Sequence, residues 1–419
     1  MSRFLLLAQY FPPEVGAAQV RLFEIARYLK SRGHEVVVLT AMPNYPGGTI
    51  LPAYQRKLWL REEMDGIPVL RTCVWPARGR NPLLRIVNYT SFCASSFVAS
   101  LFMRGFDYVF VESPPILLAF VAWCNGWLYG ARIILNVADI WSESVALLVG
   151  GDNALVIWTN RALERCAYRL AYRINAVTDG VAASIVRVEP SAAEKLLHLP
   201  NGVNLELFGR PAGRRADVPQ LLDVDVPVFS FIGTHGRLHG LDVILDAAAQ
   251  LKKEARFLFV GDGSEKSRLV HRARALGLDN VTFIDSRPVH EVPALLELSR
   301  AALVPLSGDA ASRTVRPAKM FSAMAAGKAI IYSGDGEGAA LVETAQCGLV
   351  VPPGNADALA DAIRQLASDP ARARRLGLNG RRLAEREYGW ESIVDRWLSD
   401  LDRGTQVAAA AKTEAAIHA

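Results

Sequence analysis

Lys319 and Ser322 are the residues of this chain whose types and spacing point most directly to binding chemistry. Both lie in the stretch "PAKMFSAMAAGKAII", residues 317–331, which predicts a short helix followed by a buried strand. The dipole of a helix disfavours a lysine in its first turn unless an anion lies nearby. Lys319 therefore predicts a bound phosphorylated ligand, with Ser322 on the first turn of the same helix. The alternative is an ordinary packed helix that holds no ligand.

Glycine-rich loops follow the predicted strands of the second half of the chain. "GTHGRLHG" follows the strand "VPVFSFI", and "GDGS" follows the strand "RFLFV". In open parallel sheets, loops at the carboxyl ends of the strands present backbone N–H groups to anions. One such loop is more often only a tight turn, whereas several on one edge favour a dinucleotide-like ligand or a nucleotide-sugar diphosphate. The candidate donor-binding residues are Gly233, Thr234, His235, Arg237, Gly261, Gly263 and Arg316, with Arg313 and His239 as further candidates.

Gly16 and Asp139 are the candidates in the first half of the chain. Gly16 lies near the start of the predicted helix 17–31, where its backbone could face a ligand. Asp139 comes just after the predicted strand 131–137, a position where catalytic acids occur in α/β enzymes. An aspartate at such a place also commonly caps a helix N-terminus. Both roles of Asp139 stay open from the sequence.

Other patterns argue against metal and cofactor chemistry. Asp223 and Asp225 have the spacing of a metal-binding Asp-x-Asp pair, but they precede a predicted strand instead of ending one. His235 and His239 lie on a loop broken by glycine rather than on a helix face, which disfavours a zinc site. No G-x-G-x-x-G follows the first strand, and G-x-S-x-G, H-E-x-x-H and P-loop motifs are missing from the sequence. We therefore expect no metal and no cofactor, and no nucleic acid among the partners.

Short apolar runs alternate with amphipathic helical runs along the chain, which predicts an α/β fold of parallel sheets covered on both faces. Predicted strands span 3–8, 35–40, 67–74, 107–111, 131–137, 173–177, 227–232, 256–260, 281–284, 301–305, 328–332 and 348–351. Two such sets predict two doubly wound domains. The turn-rich segment 199–225 divides them into residues 1–200 and 201–403. A last helix at about 380–402 and a disordered tail over 404–419 complete the prediction.

Charge and cysteine content bear on the compartment. The net charge of +5 comes entirely from residues 1–200, because residues 201–419 are balanced. Five cysteines without C-x-x-C spacing favour a reducing compartment. The first residues lack the pattern of a signal peptide and predict a buried strand instead. A cytoplasmic protein is therefore expected.

The uncharged segment 86–103 is the one candidate for membrane contact. Its length approaches that of a membrane span, but several Asn, Thr and Ser residues make it too polar for a clear prediction of one. A helix lying on the cytoplasmic face of the membrane, with Arg78, Arg80 and Arg85 toward anionic lipid, fits the charge better. A packed helix with a small-residue face is the alternative.

Six motifs in the same order resemble those of the family 4 glycosyltransferases, in particular the bacterial capsule, exopolysaccharide and O-antigen enzymes. The resemblance covers about residues 3–398, and the motifs read "FPPEVGAAQVRLFEIARYLKSRGHEVVVLT", "LPNGVNLELF", "FIGTHGRLHGLDVILDAA", "FVGDGSEKSRL", "PAKMFSAMAAGKAII" and "EREYGWESIVDRW". The resemblance implies a GT-B fold, with two facing Rossmann-like doubly wound domains and a C-terminal helix that crosses back. It implies a metal-independent, retaining enzyme whose first domain binds the acceptor and whose second binds a nucleotide sugar, by default UDP-linked.

The resemblance also assigns residues and shows departures from the family pattern. Lys319 matches the lysine that faces the donor phosphates, and Glu337 matches a glutamate of the next loop. Ser322 stands where relatives usually carry a glutamate that hydrogen-bonds the ribose. Ala138 stands where relatives often carry Arg or His at the reaction centre, and Ser142 replaces a common proline. The loss of a charged ribose contact is worth about 1–3 kcal/mol, which weakens donor binding or shifts donor choice.

The resulting hypothesis makes Lys319 and Asp139 catalytic residues. Lys319 would neutralise the departing diphosphate, helped by backbone N–H groups near Gly16 and Gly233, and Asp139 would orient the acceptor hydroxyl. The acceptor implied by the resemblance is a polyprenyl-diphosphate-linked sugar or a growing polysaccharide at the membrane surface. The altered Ser322 leaves an alternative, a non-catalytic GT-B protein that binds a nucleotide sugar or a partner enzyme. A sugar-nucleotide epimerase lacks support from its own motifs.

Overall fold

The protein is described from a computed structural model that covers residues 1–14, 16–45, 47–77, 82–142, 145, 154–209 and 226–417. The chain divides into two compact units. One comprises Met1–Pro200 with Glu391–Ala419, and the other comprises Asn201–Trp390. The candidate residues Arg78, Arg80, Asp223 and Asp225 lie outside the described part of the chain.

The first unit is built on a mainly parallel sheet. Within the described residues this sheet has eight strands in the order β3-β4-β2-β1-β5-β6-β7-β8. The strands are β1 Arg3–Leu7, β2 Glu35–Ala41, β3 Trp59–Met64, β4 Ile67–Thr72, β5 Tyr108–Ser113, β6 Arg132–Val137, β7 Arg173–Ala176 and β8 Leu196–His198. The buried strands β1 and β5 are apolar over nearly their whole length, as expected for a sheet covered on both faces.

The edge strands β3 and β8 are absent from the sequence prediction. β3 pairs with β4 in antiparallel fashion. The turn between them is Asp65-Gly66, whose φ angles are 48° and 72°, and an Asp-Gly pair between two extended runs is a strong hairpin signal. The sequence prediction of strands overlooked this signal. β8 has three residues, too few to show a period.

The second unit holds a parallel sheet that, over the described residues, has six strands in the order β11-β10-β9-β12-β13-β14. Counted within the domain this is the order 3-2-1-4-5-6 of a doubly wound Rossmann-like fold. The strands are β9 Val228–Ile232, β10 Arg256–Val260, β11 Val281–Ile284, β12 Ser299–Pro305, β13 Ala329–Ser333 and β14 Gly348–Val351. All six strands of this unit were predicted, and the α/β fold class is confirmed.

Helices cover both sheets. In the first unit they are α1 Ala17–Ser31, α2 Pro82–Ser100, α3 Leu118–Tyr129, α4 Ala154–Leu170 and α5 Asp179–Val188. In the second unit they are α6 Leu205–Gly209, α7 Asp242–Gln250, α8 Lys266–Ala275, α9 Val292–Glu297, α10 Ala318–Ala325, α11 Gly336–Thr344, α12 Ala356–Ser368 and α13 Pro370–Leu383. A π-helical turn over Ala384–Tyr388 extends α13. The last helix is α14, Trp390–Ile417.

Helix α14 corrects two predictions for the C-terminus. The predicted single helix at about 380–402 is two helices, because the chain becomes extended at Gly389 between α13 and α14. The predicted disordered tail from 404 is a continuation of α14 to Ile417, in keeping with the high helix propensity of its alanine-rich sequence.

Trp397 attaches α14 to the first sheet. Its ring lies 6.3 Å from Phe4 and 5.9 Å from Phe110, measured between ring centroids, and its Nε1 donates to Asn175 Oδ1 at 2.8 Å. Successive residues of a strand point to opposite faces of the sheet. Leu5, next to Phe4, belongs to the core on the α2–α4 side, so Phe4, Phe110 and the helix α14 that packs on them lie on the opposite face.

Candidate functional site

Lys319 lies on the first turn of α10 with its ammonium group against two rings. Nζ is 4.4 Å from the centroid of the Phe231 ring, in a cation–π contact, and 3.2 Å from Nδ1 of His239. Burial lowers the pKa of Lys319 to about 7. The pKa of His239 falls far below its usual range through burial first and the Lys319 cation second, so His239 is neutral and able to accept from Lys319. Within the described residues, no carboxylate pairs with Lys319.

Glycines bring the loops after β9 and β10 into direct contact beside Lys319. His235 N donates to Asp262 O at 2.8 Å. A Cβ on Gly261 would lie 2.0 Å from the carbonyl oxygen of Gly233, and one on Gly233 would lie 3.0 Å from Cε of Lys319. Gly261 has a φ of +143°, which side chains rarely permit. Both loops and Lys319 therefore form one continuous edge at the carboxyl ends of the strands.

The ring of His235 lies in the interior rather than on this edge. It is fully buried and packs on the rings of Phe231, Phe259 and Phe283. Burial, followed by the charge of Lys266, lowers the pKa of His235 to about 4. His235 therefore shapes the loop through its backbone, against which Gly263 packs so closely that a Cβ there would lie 2.5 Å from His235 O.

The structure pairs Arg316 with Glu337, two residues predicted to bind the donor. Their side chains form an ion pair at 2.8 Å in which both partners are mostly buried. Nearby, Arg313 forms an exposed ion pair with Asp335 at 3.0 Å. These carboxylates compete with any anionic ligand for the two arginines, so Lys319 is the better placed of the predicted cations.

Ser322, Thr234 and Arg237 keep polar groups available for a ligand. Ser322 is half-buried one turn after Lys319 on α10, and the i, i+3 spacing puts both side chains on one face. Thr234 and Arg237 are exposed on the loop after β9. Across the described part of the chain, none of these three side chains has a hydrogen-bond partner.

Asp139 lies two residues beyond β6 in the first unit, next to a buried ionic network. Arg21 is ion-paired with Glu112, and Asn136 Nδ2 donates to the other oxygen of Glu112 at 2.7 Å. Glu112 and Asp139 interact electrostatically. Asp139 is exposed; the dense protein around its carboxylate raises its pKa, and the Arg21 cation opposes that rise.

Gly16 is the residue that precedes α1 in the first unit. Its φ of 178° is ordinary extended backbone, and a Cβ there would meet the side-chain oxygen of Gln19 at 2.4 Å. Its approach to the donor stays a prediction, as does the role of Asp139 in orienting the acceptor hydroxyl.

Sequence reasoning missed Phe231 and the Arg21–Glu112 pair. Phe231 looks like any core residue of a strand, and only its proximity to Lys319 gives it a role. Glu112 had a usable signal, since a carboxylate directly follows the apolar run "YVFV" near the end of its strand. The described residues contain no group of three or more His, Cys, Asp or Glu side chains placed to hold a metal ion.

Comparisons with known proteins place the chain among glycosyltransferases. The family of glycosyl transferases group 1 matches residues 214–383, and the glycosyl transferase 4-like domain matches residues 16–202. A chain of Escherichia coli (strain K12) named as a colanic acid biosynthesis glycosyl transferase, WcaI, is 26% identical over 413 residues, which are 95% of this chain and 99% of that one. The resemblance to bacterial surface-polysaccharide enzymes is thereby confirmed.

Solved structures show the same fold. Sucrose-phosphate synthase from Thermosynechococcus elongatus superposes with a TM-score of 0.78 at 21% identity, covering 98% of this chain and all of that one. HepE of Anabaena, in complex with UDP-glucose, gives a TM-score of 0.70 at 17% identity, covering 96% of this chain and all of that one. The matches favour an enzyme over the non-catalytic alternative. Glycosyltransferase families match both halves of the chain, and the solved structures share its fold over nearly its whole length. The chain therefore belongs to the family 4 glycosyltransferases and is a glycosyltransferase of the GT-B fold.

Proposed function

We propose that this enzyme moves a sugar from a UDP-linked donor to a lipid-linked saccharide or polysaccharide acceptor in bacterial surface-polysaccharide biosynthesis, retaining the anomeric configuration. The observation that carries the proposal is Lys319, a half-buried cation for which no described residue supplies a carboxylate. The likeness to the E. coli chain supports the polysaccharide context. The likeness to the Anabaena structure supports a UDP-sugar donor.

Lys319 and the adjoining loops suit a diphosphate. An anion beside Lys319 offsets the cost of burying its charge and raises its pKa again, so binding and protonation reinforce each other. Backbone N–H groups near Gly233 and the exposed side chains of Thr234 and Arg237 add donors. Ser322, on the same face of α10, offers its hydroxyl to the ribose.

In the transfer step, the bond between the anomeric carbon and the diphosphate oxygen breaks, and its electron pair leaves with UDP. The acceptor oxygen forms the new bond on the same face of the sugar, and its proton passes to the departing diphosphate. Lys319 stabilises the negative charge that develops on the leaving group, so the proposal requires no metal ion or cofactor. Asp139 orients the acceptor hydroxyl.

An apolar face on the first domain supports attachment to a membrane surface. The described residues include no helix both long and apolar enough to cross a bilayer. Yet α3 packs between α2 and α4, and all three helices expose large apolar side chains. They are Leu83, Ile86, Val87, Phe97 and Val98 on α2, Trp123, Trp127 and Leu128 on α3, and Leu155 and Trp158 on α4, with Phe102 just after α2. We call this set the apolar face.

The charges around the apolar face fit anionic lipid. Arg85, Arg104, Arg161 and Arg165 are exposed on or beside the three helices. The only acidic residue in their described sequences is Glu164, which is buried. Tryptophan and arginine at the edge of an apolar surface are typical of proteins that lie in the membrane interface. We propose a peripheral position on the cytoplasmic side of the membrane, where a lipid-linked acceptor is found.

The donor proposal is tested by thermal unfolding of the purified protein with saturating UDP, GDP, ADP and dTDP in turn. A ligand at a hundred times its dissociation constant adds about 2.7 kcal/mol, which raises the midpoint by a few degrees. We expect the largest shift with UDP, its loss in Lys319→Ala, and its survival in Lys253→Ala, which removes an exposed lysine of the same domain. Transfer assays with UDP-sugars follow.

Two results would contradict the proposal. A larger shift with another nucleotide would mean that the donor sugar is linked to that nucleotide and not to UDP. The absence of a shift with every nucleotide, in a protein that unfolds cooperatively, would contradict the assignment of a donor site at Lys319.

A further inference from the structure

Three tyrosines from separate segments lie at the carboxyl edge of the first sheet. Tyr10 follows β1, Tyr45 follows β2, and Tyr89 lies on α2. The rings of Tyr10 and Tyr45 are 5.4 Å apart between centroids, and Tyr89 contacts the ring of Trp141 at 5.6 Å. Gln9 donates to Asn88 Oδ1 at 2.5 Å, and Asn88 donates to Asn44 Oδ1 at 3.3 Å, so hydrogen bonds join the residues next to the three tyrosines. We call these residues the tyrosine cluster.

The hydroxyl groups of the tyrosine cluster are short of hydrogen-bond partners. All three side chains are half-buried, and no described residue hydrogen-bonds their hydroxyls. None of the three hydroxyls is among the buried unpartnered polar atoms of the described residues, so each is accessible to solvent or to a ligand. Burial is the largest cause that raises the pKa of each of the three, so each remains a neutral donor and acceptor.

Arg85 supplies the cluster with positive charge. It lies one turn before Tyr89 on α2 and is exposed. Its charge opposes the rise in the pKa of Tyr10, Tyr45 and Tyr89 alike. No described residue forms an ion pair with Arg85. A guanidinium with free donors is the side chain best suited to two oxygens of a phosphate.

Buried polar contacts hold the cluster in place. Glu14 Oε1 accepts from the backbone N–H groups of Asn44 and Tyr45, both at 2.7 Å, and its Oε2 accepts from Phe11 N at 3.2 Å. These bonds tie the loop after β1 to the loop after β2. Asn88 on α2 donates to Asn44 Oδ1 at 3.3 Å, which connects the helix to the same loops. The hydroxyl groups are thus presented by a fixed framework rather than by loose loops.

The tyrosine cluster adjoins the apolar face. Leu83, Ile86 and Val87, which flank Arg85 on α2, are all exposed. A ligand whose phosphate meets Arg85 can therefore lay a hydrocarbon chain along α2 while its polar end meets the tyrosine hydroxyls. This combination of groups matches a sugar or sugar diphosphate attached to a lipid.

We propose that Arg85 and the tyrosine cluster bind the acceptor's head group, with Arg85 on the phosphate of a lipid-linked diphosphate and the tyrosine hydroxyls on phosphate and sugar oxygens. This inference rests on the proposed function, since it gives the lipid-linked acceptor its site in the first domain.

The test measures binding of farnesyl diphosphate, a short lipid diphosphate, by quenching of tryptophan fluorescence. We expect Arg85→Ala and the double change Tyr10→Phe with Tyr45→Phe each to weaken binding at least tenfold. Arg104→Ala is the matched control, because Arg104 is exposed beside the apolar face but stacks on Tyr129 instead, 5.7 Å from its ring centroid. We expect it to change binding less than twofold. All variants should keep the shift in unfolding midpoint that UDP produces.

Further probes separate the sources of the signal. Inorganic pyrophosphate should bind more weakly than farnesyl diphosphate, and equal affinity would show a free-phosphate site instead. If Arg85→Ala and Arg104→Ala weaken binding equally, farnesyl diphosphate is attracted by positive charge in general and not by a specific site, and the proposal is overturned. If wild-type protein binds farnesyl diphosphate through Arg85 but shifts with no nucleotide, the proposed function fails while the site stands.

Discussion

Gly261 packs directly against the backbone of Gly233, where the loops after β9 and β10 meet beside Lys319. A Cβ on Gly261 would come within 2.0 Å of the carbonyl oxygen of Gly233, a backbone atom that has nowhere to yield. Gly233 in turn lies beside Lys319, since a Cβ added to it would come within 3.0 Å of Lys319 Cε; we therefore expect a shift of the Gly261 loop to displace the cation.

Gly261→Ala should therefore damage both stability and donor binding. Steric overlap together with an unfavourable φ of +143° should lower the free energy of unfolding by about 3 kcal/mol. The matched control is Gly277→Ala, since Gly277 also has a positive φ but no atom within 4 Å of the added Cβ. It should cost about 1 kcal/mol and leave UDP binding intact. Denaturant unfolding and UDP titration measure both; equal losses in the two variants would refute the contact's role.

The affinity for UDP should fall as the pH rises. The pKa of Lys319 is about 7 in the unliganded protein, and a diphosphate raises it by favouring the charged form. At a pH between the pKa of Lys319 in the free protein and its higher pKa in the complex, UDP binding takes up one proton. The affinity for UDP should therefore drop by up to about tenfold per pH unit above pH 7. Calorimetric titration from pH 7.5 to 9.5 gives the slope, and buffers of different ionisation enthalpy give the proton uptake.

Lys319→Arg is the control for this pH dependence. A guanidinium stays charged throughout the range, so the slope should disappear even where affinity is reduced. A slope that persists in the arginine variant would assign the titration to another group.

The Arg316–Glu337 pair should act as a coupled unit. Removing one partner, in Arg316→Met or Glu337→Gln, leaves a mostly buried group short of its partner, and each should lower the free energy of unfolding by about 2 kcal/mol. The double variant should lose about 1 kcal/mol less than the sum. Arg364 and Glu254 form an exposed pair at 3.1 Å. A double-mutant cycle on this pair should give a coupling energy below about 0.5 kcal/mol. Additive losses at Arg316 and Glu337 would show that the pair contributes nothing.

Binding to anionic vesicles should depend on the tryptophans of the apolar face. Trp127 and Trp158 are 75% and 68% exposed, so Trp127→Asp and Trp158→Asp should leave stability nearly unchanged. Each should reduce the fraction bound to phosphatidylglycerol vesicles at least fivefold in a flotation assay. Leu378→Asp, at an exposed leucine of the second domain, should have no effect. Equal binding by all variants would exclude the apolar face from membrane contact.

Much of the fold could be predicted because its signals are local. The strands of the second domain are apolar runs bounded by glycine or proline, and each run is visible without knowledge of its neighbours. The edge strand β3 was missed because its exposed residues, such as Trp59 and Arg61, show no apolar run. The C-terminal extension of α14 was missed because helix propensity was given less weight than position at the chain end.

The site was only partly predictable because it depends on contacts between distant segments. The position of Lys319 at a helix start was readable, but its contact with Phe231 arises only when β9 and α10 come together. The lowered pKa of Lys319 follows from that enclosure. The pairing of Arg316 with Glu337, and the meeting of Tyr10 with Tyr45, likewise required the sheet order.

The attachment of α14 through Trp397 makes the first domain discontinuous in the chain. Trp397 is completely buried against strands that precede the second domain in the chain, and Arg32 pairs with Glu391 and Asp395 near the start of the same helix. On the ribosome, the core of this domain therefore closes only after residues 391–401 have been synthesised, while residues 201–390 of the second domain are complete earlier. An excised first domain would need residues 391–417 joined to residue 200, since a cut at 200 alone would leave Phe4 and Phe110 uncovered.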